Sequence, residues 1–385
     1  RVRRAHFRYS LSDTNVVFSV EGNDEHGVLF SSTLQRWHAE QRVNCFGNAV
    51  SVIKADPGQL IELATAARDD GKLLTAYGSA SHLLEVVPSL FEMVAIGVPC
   101  VLHIYVENRQ GIAEVLAARS TGVVILWASS AQEAFDLAIV AGHMNRHGEV
   151  PVIVCQDALS VANDLATVDF VELTDAELLT KHFTVGGSSP ADDESIVSRA
   201  SRRGSFVSQP DLDGAGSNVK ESLAHACKVV TSLTGRAVAQ MTYHGPTAGA
   251  QAAVIAFGPG ALALQQTVPT GSKVGTVQIR ALRPFDGAEM LRQLPANVKT
   301  VYITTICDQL APGAGSTGSI VEDVVVALHS ASVEIKVVQL NVYLDERGFT
   351  PQLARTIHHH LNHGRAAAAA GAINIRADGV QSSAG

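Results

Sequence analysis

Charge is scarce in this sequence. Only 17% of its 385 residues are Asp, Glu, Lys or Arg, and the formal net charge is −8. That excludes the broad basic face that nucleic acid binding requires. Long apolar runs are missing as well. Val123–Trp127 and Val150–Cys155 are strand-length, far short of the roughly 18 apolar residues of a membrane-spanning helix. Cysteine is sparse and scattered: Cys45, Cys100, Cys155, Cys227 and Cys307, odd in number and without a C-x-x-C. This excludes a disulfide framework, a zinc site or a cluster site, and fits a reducing compartment. Three of the five sit in or beside apolar runs and are expected to be buried, inert thiols.

What is present is apolar: 46% of the residues are hydrophobic, and Gly and Ala are frequent. A chain this long exceeds one ordinary core, so two units plus connections are expected. Strand and helix patterns alternate. Leu73–Tyr77 reads as a strand, followed by a helical stripe through Leu83, Leu84, Val87, Leu90, Phe91 and Met93. Val98–Val106 and Gly122–Trp127 are continuous apolar strands around a helix at Ile112–Ser120. Ser130 and Glu133 form a capping-box pair that opens a helix ahead of strand Val150–Cys155. Buried strands separated by helices make βαβ units and a parallel sheet.

From Phe183 to Asn218 the pattern stops. This Ser-, Gly-, Asp- and Arg-rich stretch reads as a mobile linker, and Arg202–Ser205, RRGS, is a weak match to a basophilic kinase site. A helix at Ser222–Thr234 resumes the order. Then come AAVIAFGPGALALQQ (strand, turn, helix), strand Val274–Arg280, helix Gly287–Leu294, strand VKTVYITTI, helix IVEDVVVALHS, strand VEIKVVQLNVY and helix Thr350–Asn362. The boundaries expected are 1–182 for the first unit, 183–218 for the linker, 219–364 for a helix plus the second unit, and 365–385 for an Ala-rich tail with no clear partner.

Two features invite ligand chemistry. GPGALA and APGAGSTGS are Gly-rich, but Pro259 removes an N–H that a pyrophosphate would use, and the second stretch lacks a P-loop ending. Tight turns are the favoured reading. His358, His359, His360 and His363 can place an i,i+4 pair on one helical face, yet no H-E-x-x-H accompanies them, so a solvated helix end is favoured over a metal site. Lone His103, in an apolar strand, is expected to be a core residue.

Several stretches, taken in order, resemble the pyruvate:ferredoxin oxidoreductase superfamily. NCFGNAV, LLTAYGSASHLLEVVPSLFEMVAIGVPCVLHIYV and AARSTGVVILWASSAQEAFDLAIVAGHMNRHGEVPVIVCQD resemble its thiamine-pyrimidine domain. AVIAFGPG, VGTVQIRALRPFDGAEMLRQLP, CDQLAPGAG and FTPQLARTI resemble the transketolase-C-like domain that follows. The resemblance implies an α/β fold of two domains, each a parallel sheet flanked by helices. Within it, Arg280–Pro295 is an architectural corner. Arg280 and Arg283 should pair with carboxylates or helix C-termini, and Phe285, expected to be buried, should staple the helix to the sheet.

The resemblance also marks departures. The family's pyrimidine-facing glutamate falls at Pro57, with Asp56 and Glu62 out of register. Tyr77–Ser81 reads YGSAS where the family has TASQG-like residues, and the substrate-binding arginine falls near Glu107, with Arg109 two residues on. The expectation is therefore no catalytic, cofactor-binding or metal residues and no cofactor. The chain would be a structural or accessory module resembling the N-terminal part of the NADPH sulfite reductase flavoprotein α subunit. The alternative is half of a thiamine-dependent 2-oxoacid (pyruvate) oxidoreductase completed by another chain. Expected partners are other subunits of a larger complex, with homodimeric contacts as an option, and no nucleic acid. Arg1, Arg3, Arg4 and Arg8, with no acid among them, resemble the edge of a transit peptide and favour a mitochondrial location over a cytoplasmic one; the alternative is a solvated basic end.

Overall fold

In the computed structural model, residues 11–18, 25–44, 47–107, 110–147, 150–157, 167–169, 212–307, 318–344, 348–363, 372–376 and 379–381 are described. The first sheet is built from β1 (Thr14–Phe18), β2 (Ser51–Ala55), β3 (Leu74–Ser79), β4 (Val101–Val106), β5 (Val124–Ala128) and β6 (Val152–Asp157), all mutually parallel. Their connections carry α1 (Glu25–Ala39), α2 (Leu60–Asp69), α3 (Ala80–Ile96), α4 (Gln110–Ala117) and α5 (Ala131–His147). Every residue of β3, β4 and β5 is buried. These strands are covered on both faces, which is why they read as unbroken apolar runs. Helix α3 ends at Gly97, whose φ of 67° is the left-handed cap that a residue without Cβ adopts at least cost.

The second sheet contains β7 (Met241–His244), β8 (Ala252–Phe257), β9 (Val274–Ile279), β11 (Thr300–Cys307), β12 (Lys336–Tyr343), β13 (Ala372–Arg376) and β14 (Gly379–Gln381). Its order is β14-β13-β12-β11-β8-β9-β7, with a parallel centre and antiparallel strands at both edges. Helices α7 (Gly258–Gln266), α8 (Gly287–Gln293), α9 (Gly318–Ser330) and α10 (Pro351–His363) flank it, and α6 (Leu212–Thr234) precedes it.

The structure departs from the sequence expectations in four places. The short strand β10 (Ala281–Arg283), in the middle of the second unit, joins the first sheet by pairing antiparallel with β5. Helix α6 starts at Leu212 rather than Ser222. It also packs on the first sheet, where Leu223, Ala226, Cys227 and Val230 share a core with Leu126, Val154 and α5. The segment expected to be a partnerless tail contains β13, which pairs with β12 and buries Ile373 and Ile375. Finally, α1 lies where the sequence pattern marks no helix; it buries Leu34 and Trp37 against Val17 and Tyr77. Residues 183–211, which hold most of the expected linker and the RRGS stretch, lie outside the described residues.

The two sheets share one continuous apolar core. At their junction Trp127 of β5 meets Phe257 edge-on at 5.0 Å. Gly258, the next residue, has a φ of 60°, and a Cβ there would lie 2.8 Å from Trp127 Nε1. The GPG turn is therefore a wedge between the sheets, and glycine is required at its first position by both conformation and space.

Candidate functional site

Parallel sheets present ligands at the carboxyl ends of their strands, so the site begins there. After β2 the chain turns through Asp56 into a single 3-10 turn, Pro57–Gln59, and the Asp56 N–H donates to Gln59 Oε1 at 3.1 Å. Pro57, where the resemblance would place a glutamate, is buried, whereas Asp56 and Glu62 are exposed. Among the described residues of this turn, no carboxylate points inward. An aminopyrimidine ring placed here would lack the acid–base partner it needs, so the donor set does not fit thiamine diphosphate. Arg109 lies outside the described residues, and Glu107 is exposed.

Beside this turn, β3 runs into α3 through Ser79, Ser81 and His82. Ser79 Oγ lies 2.8 Å from Ser81 Oγ and 3.0 Å from His82 Nδ1. A serine–histidine pair resembles an activated nucleophile. Here, however, the Ser79 N–H donates to the same Nδ1 at 3.1 Å. His82 closes a capping box on α3. Phe18 stands over it at 5.8 Å between ring centroids, and a Cβ on Gly78 would lie 2.6 Å from the Phe18 ring. The corner is packed as a helix cap. Deeper in the sheet, Tyr77 donates to Asn15 Oδ1 at 2.8 Å and stacks on His103 at 5.4 Å. His103 is buried in the core, as expected.

The stretch Arg280–Pro295 forms a seam between the sheets. Arg280 Nε donates to Glu133 Oε1 at 2.9 Å, Nη1 to Thr242 Oγ1 at 2.9 Å, and Nη2 to Gln278 Oε1 at 2.9 Å. Gln278 Nε2 in turn donates to Ser129 Oγ and to Glu133. The sequence pattern pairs Glu133 with Ser130 in a capping box. Its N–H does donate to Ser130 Oγ, but its carboxylate accepts from the Ser129 N–H and is drawn to Arg280. Arg283 pairs with Asp323 of α9 at 2.7 Å. Both arginines thus find carboxylates. Phe285 is only partly buried and lines an open groove of about 600 Å³ between α8 and α9. Truncating it should cost less than the range for a fully buried aromatic.

On the histidine-rich helix, no cluster of metal-ligating side chains is found among the described residues. His358 is fully buried and its Nε2 donates to Leu264 O at 2.8 Å, in place of the solvated end expected from sequence. Burial holds its pKa below the ordinary histidine value, against a smaller rise from the Leu264 bond. His244 is also lowered, first by burial and then by the nearby Arg280 charge. Its Nδ1 accepts from Gln265 Nε2 at 3.0 Å, and its Nε2 faces Thr242 Oγ1 at 2.9 Å.

For both groups the folded pKa lies below the unfolded one. As pH falls below about 6.5, the unfolded chain takes up protons that the folded chain resists, and stability declines. Melting temperature should therefore drop between about pH 7 and about pH 5.5, and less steeply in His358→Gln. An equal slope in the variant would remove His358 as a cause. The cysteines behave as expected: Cys100, Cys155 and Cys227 are free and buried, and burial pushes the Cys227 thiol up to about 12.

Comparison with known proteins matches residues 61–208 to the family described as "Pyruvate flavodoxin/ferredoxin oxidoreductase, thiamine diP-bdg". Across 93% of its length the chain is 24% identical to a pyruvate:ferredoxin oxidoreductase of Moorella thermoacetica, of which it covers 31%. It is also 24% identical, over 84% of both chains, to a pyruvate-flavodoxin oxidoreductase of Nostoc sp.. It thus spans about a third of the length of the Moorella relative. Among solved structures, the 2-oxoglutarate:ferredoxin oxidoreductase from Magnetococcus marinus superposes with a TM-score of 0.57 at 11% identity, covering 92% of this chain and 63% of that one. At that identity the likeness is one of fold. Through both of its sheets, the chain is similar to the N-terminal region of the pyruvate:ferredoxin oxidoreductase superfamily.

Proposed function

We propose that this chain is a non-catalytic oxidoreductase-like module that acts through contacts with other subunits, as a structural part of a larger oxidoreductase complex. The observation that carries this reading is Pro57, a buried pyrrolidine where the resemblance calls for a glutamate, with its acidic neighbours Asp56 and Glu62 turned to solvent. Proline holds no proton and accepts none at its ring. The hydroxyl and imidazole groups of Ser79 and His82, beside this turn, cap α3. The finer assignment, to the N-terminal module of an NADPH sulfite reductase flavoprotein α subunit, rests on the YHG segment before β8 and on the short crossing after β4.

Calorimetric titration of the chain with thiamine diphosphate and magnesium should give no saturable heat. Micromolar binding would overturn the proposal. It would favour the second reading, half of a thiamine-dependent 2-oxoacid oxidoreductase completed by another chain. The match of residues 61–208 to a family named for binding thiamine diphosphate supports that reading. Chains recovered with this one from its native source separate the two: a thiamine-binding subunit supports the second, a flavin or haem reductase the first.

A further inference from the structure

We propose that the outward face of α3 docks a basic amphipathic helix of a partner chain. The proposal rests on the reading of this chain as a unit that acts through contacts, and it names the surface and the chemistry of what meets it. Helix α3 sends Leu83, Val86, Leu90 and Met93 into the core. Its opposite face is apolar as well. Leu84 is 47% exposed, Phe91 50% and Ile96 41%, and Pro88 and Ala95 are exposed beside them. Leu84, Pro88, Phe91 and Ala95 follow one another at helical spacing, so they form one stripe along the helix. Apolar stripes left in water mark contact surfaces, and this spacing is the one by which helices anchor on other chains.

Charge decides the occupant. Glu85 and Glu92 are exposed and run along one edge of the stripe. They are two helical turns apart, about 10 Å. Among the described residues neither has a cationic partner. On the neighbouring α2, Glu62 is exposed, and Arg68 is held by Asp69 at 2.9 Å and by the Ile96 carbonyl at 3.2 Å. Pro88 has no N–H to give, so the Leu84 carbonyl lacks its helical donor. The stripe is thus bordered by acceptors of one kind of partner. A helix with apolar residues at the same spacing, and Lys or Arg two turns apart along one edge, answers them.

A second copy of this chain does not. Packed antiparallel about a two-fold axis, two α3 helices set Glu85 and Glu92 beside the same carboxylates of the other copy. Packed parallel, they set them against the half-buried Val87 and Val94, which border the opposite edge. Repulsion opposes the first arrangement and desolvation of unpaired charge the second. An anionic lipid surface meets the same repulsion.

The whole chain is titrated with two fluorescein-labelled helical peptides of leucine, alanine and glutamine. They differ only at two edge positions, two turns apart, which hold lysine in one peptide and glutamate in the other. Fluorescence anisotropy should show saturable binding of the lysine peptide, about tenfold tighter than the glutamate peptide, the worth of two exposed ion pairs. Phe91→Ser should keep the melting temperature and weaken the lysine peptide about tenfold, as loss of an aromatic anchor does. Glu85→Gln with Glu92→Gln should erase the preference between the peptides. Equal binding of both peptides, no saturable binding, or an affinity unmoved by Phe91→Ser would overturn the proposal. Sedimentation, and flotation with phosphatidylserine vesicles, are run on the unmodified chain and on Phe91→Ser. Self-association or vesicle binding that this variant abolishes would give the face to a second copy or to a membrane, and would overturn it too. Titration of the same sample with thiamine diphosphate judges catalysis separately: binding there would overturn the non-catalytic reading and leave the peptide result standing.

Discussion

Replacing Arg280 by leucine should lower stability by about 3–5 kcal/mol, the cost of leaving one member of a buried ion pair without its partner. Arg280 is 10% exposed at its side chain and Glu133 20%. The loss also removes donors to Thr242 and Gln278, so several acceptors go unsatisfied at once. The attraction itself is not the source of that magnitude, because desolvation offsets much of it. The double variant Arg280→Leu with Glu133→Leu should therefore recover a substantial part of the loss, since no unpaired charge remains inside. Denaturant unfolding of wild type, both single variants and the double variant measures this cycle. A single-variant loss below about 1 kcal/mol, typical of an exposed pair, would place the network at the surface.

Trp127→Ala should be of similar size, about 3–5 kcal/mol, as for other fully buried large aromatics. The indole fills the space between the sheets, edge-on to Phe257 and against Gly258. Its removal leaves a void bounded by two rigid sheets that cannot easily collapse, which places the cost at the upper end of the range. Trp127→Phe should cost much less, because most of the ring volume stays and a buried N–H that has no partner among the described residues is removed. Thermal unfolding of both variants tests this; equal losses would show that ring volume is not what the junction requires.

The main strands were legible because they are buried on both faces, so their apolar runs are unbroken; β4 and β5 are the clear cases. Helix α10 was legible too, but its face was not: His358 follows Ile357 and Ala354 in the buried stripe, and its polar type masked that position. Strand β13 carries a period-2 signal, Ile373 and Ile375, obscured by the alanines before it. Strand β10 could not be read locally. Ala281–Arg283 is a strand only because β5, more than 150 residues earlier in the chain, offers its edge. The same holds for Arg280, whose partner Glu133 lies 147 residues away. At the candidate site, Pro57 could be placed by resemblance, while at the junction the packing of Trp127 on Phe257 and Gly258 has no sequence signature, since it depends on what the second sheet places opposite it.

The exchange of β10 between sheets sets a rule for the order of synthesis. A ribosome that has made residues 1–157 has supplied six strands of the first sheet, yet β5 still presents a bare edge. That edge stays open until residues 281–283 emerge, by which time β7, β8 and β9 of the other sheet already exist. Unpaired edges recruit stray strands, and closing contacts so distant along the chain is slow. The newborn first half is thus a customer for chaperones. A gene cut between the two halves would yield a fragment that carries its own aggregation site.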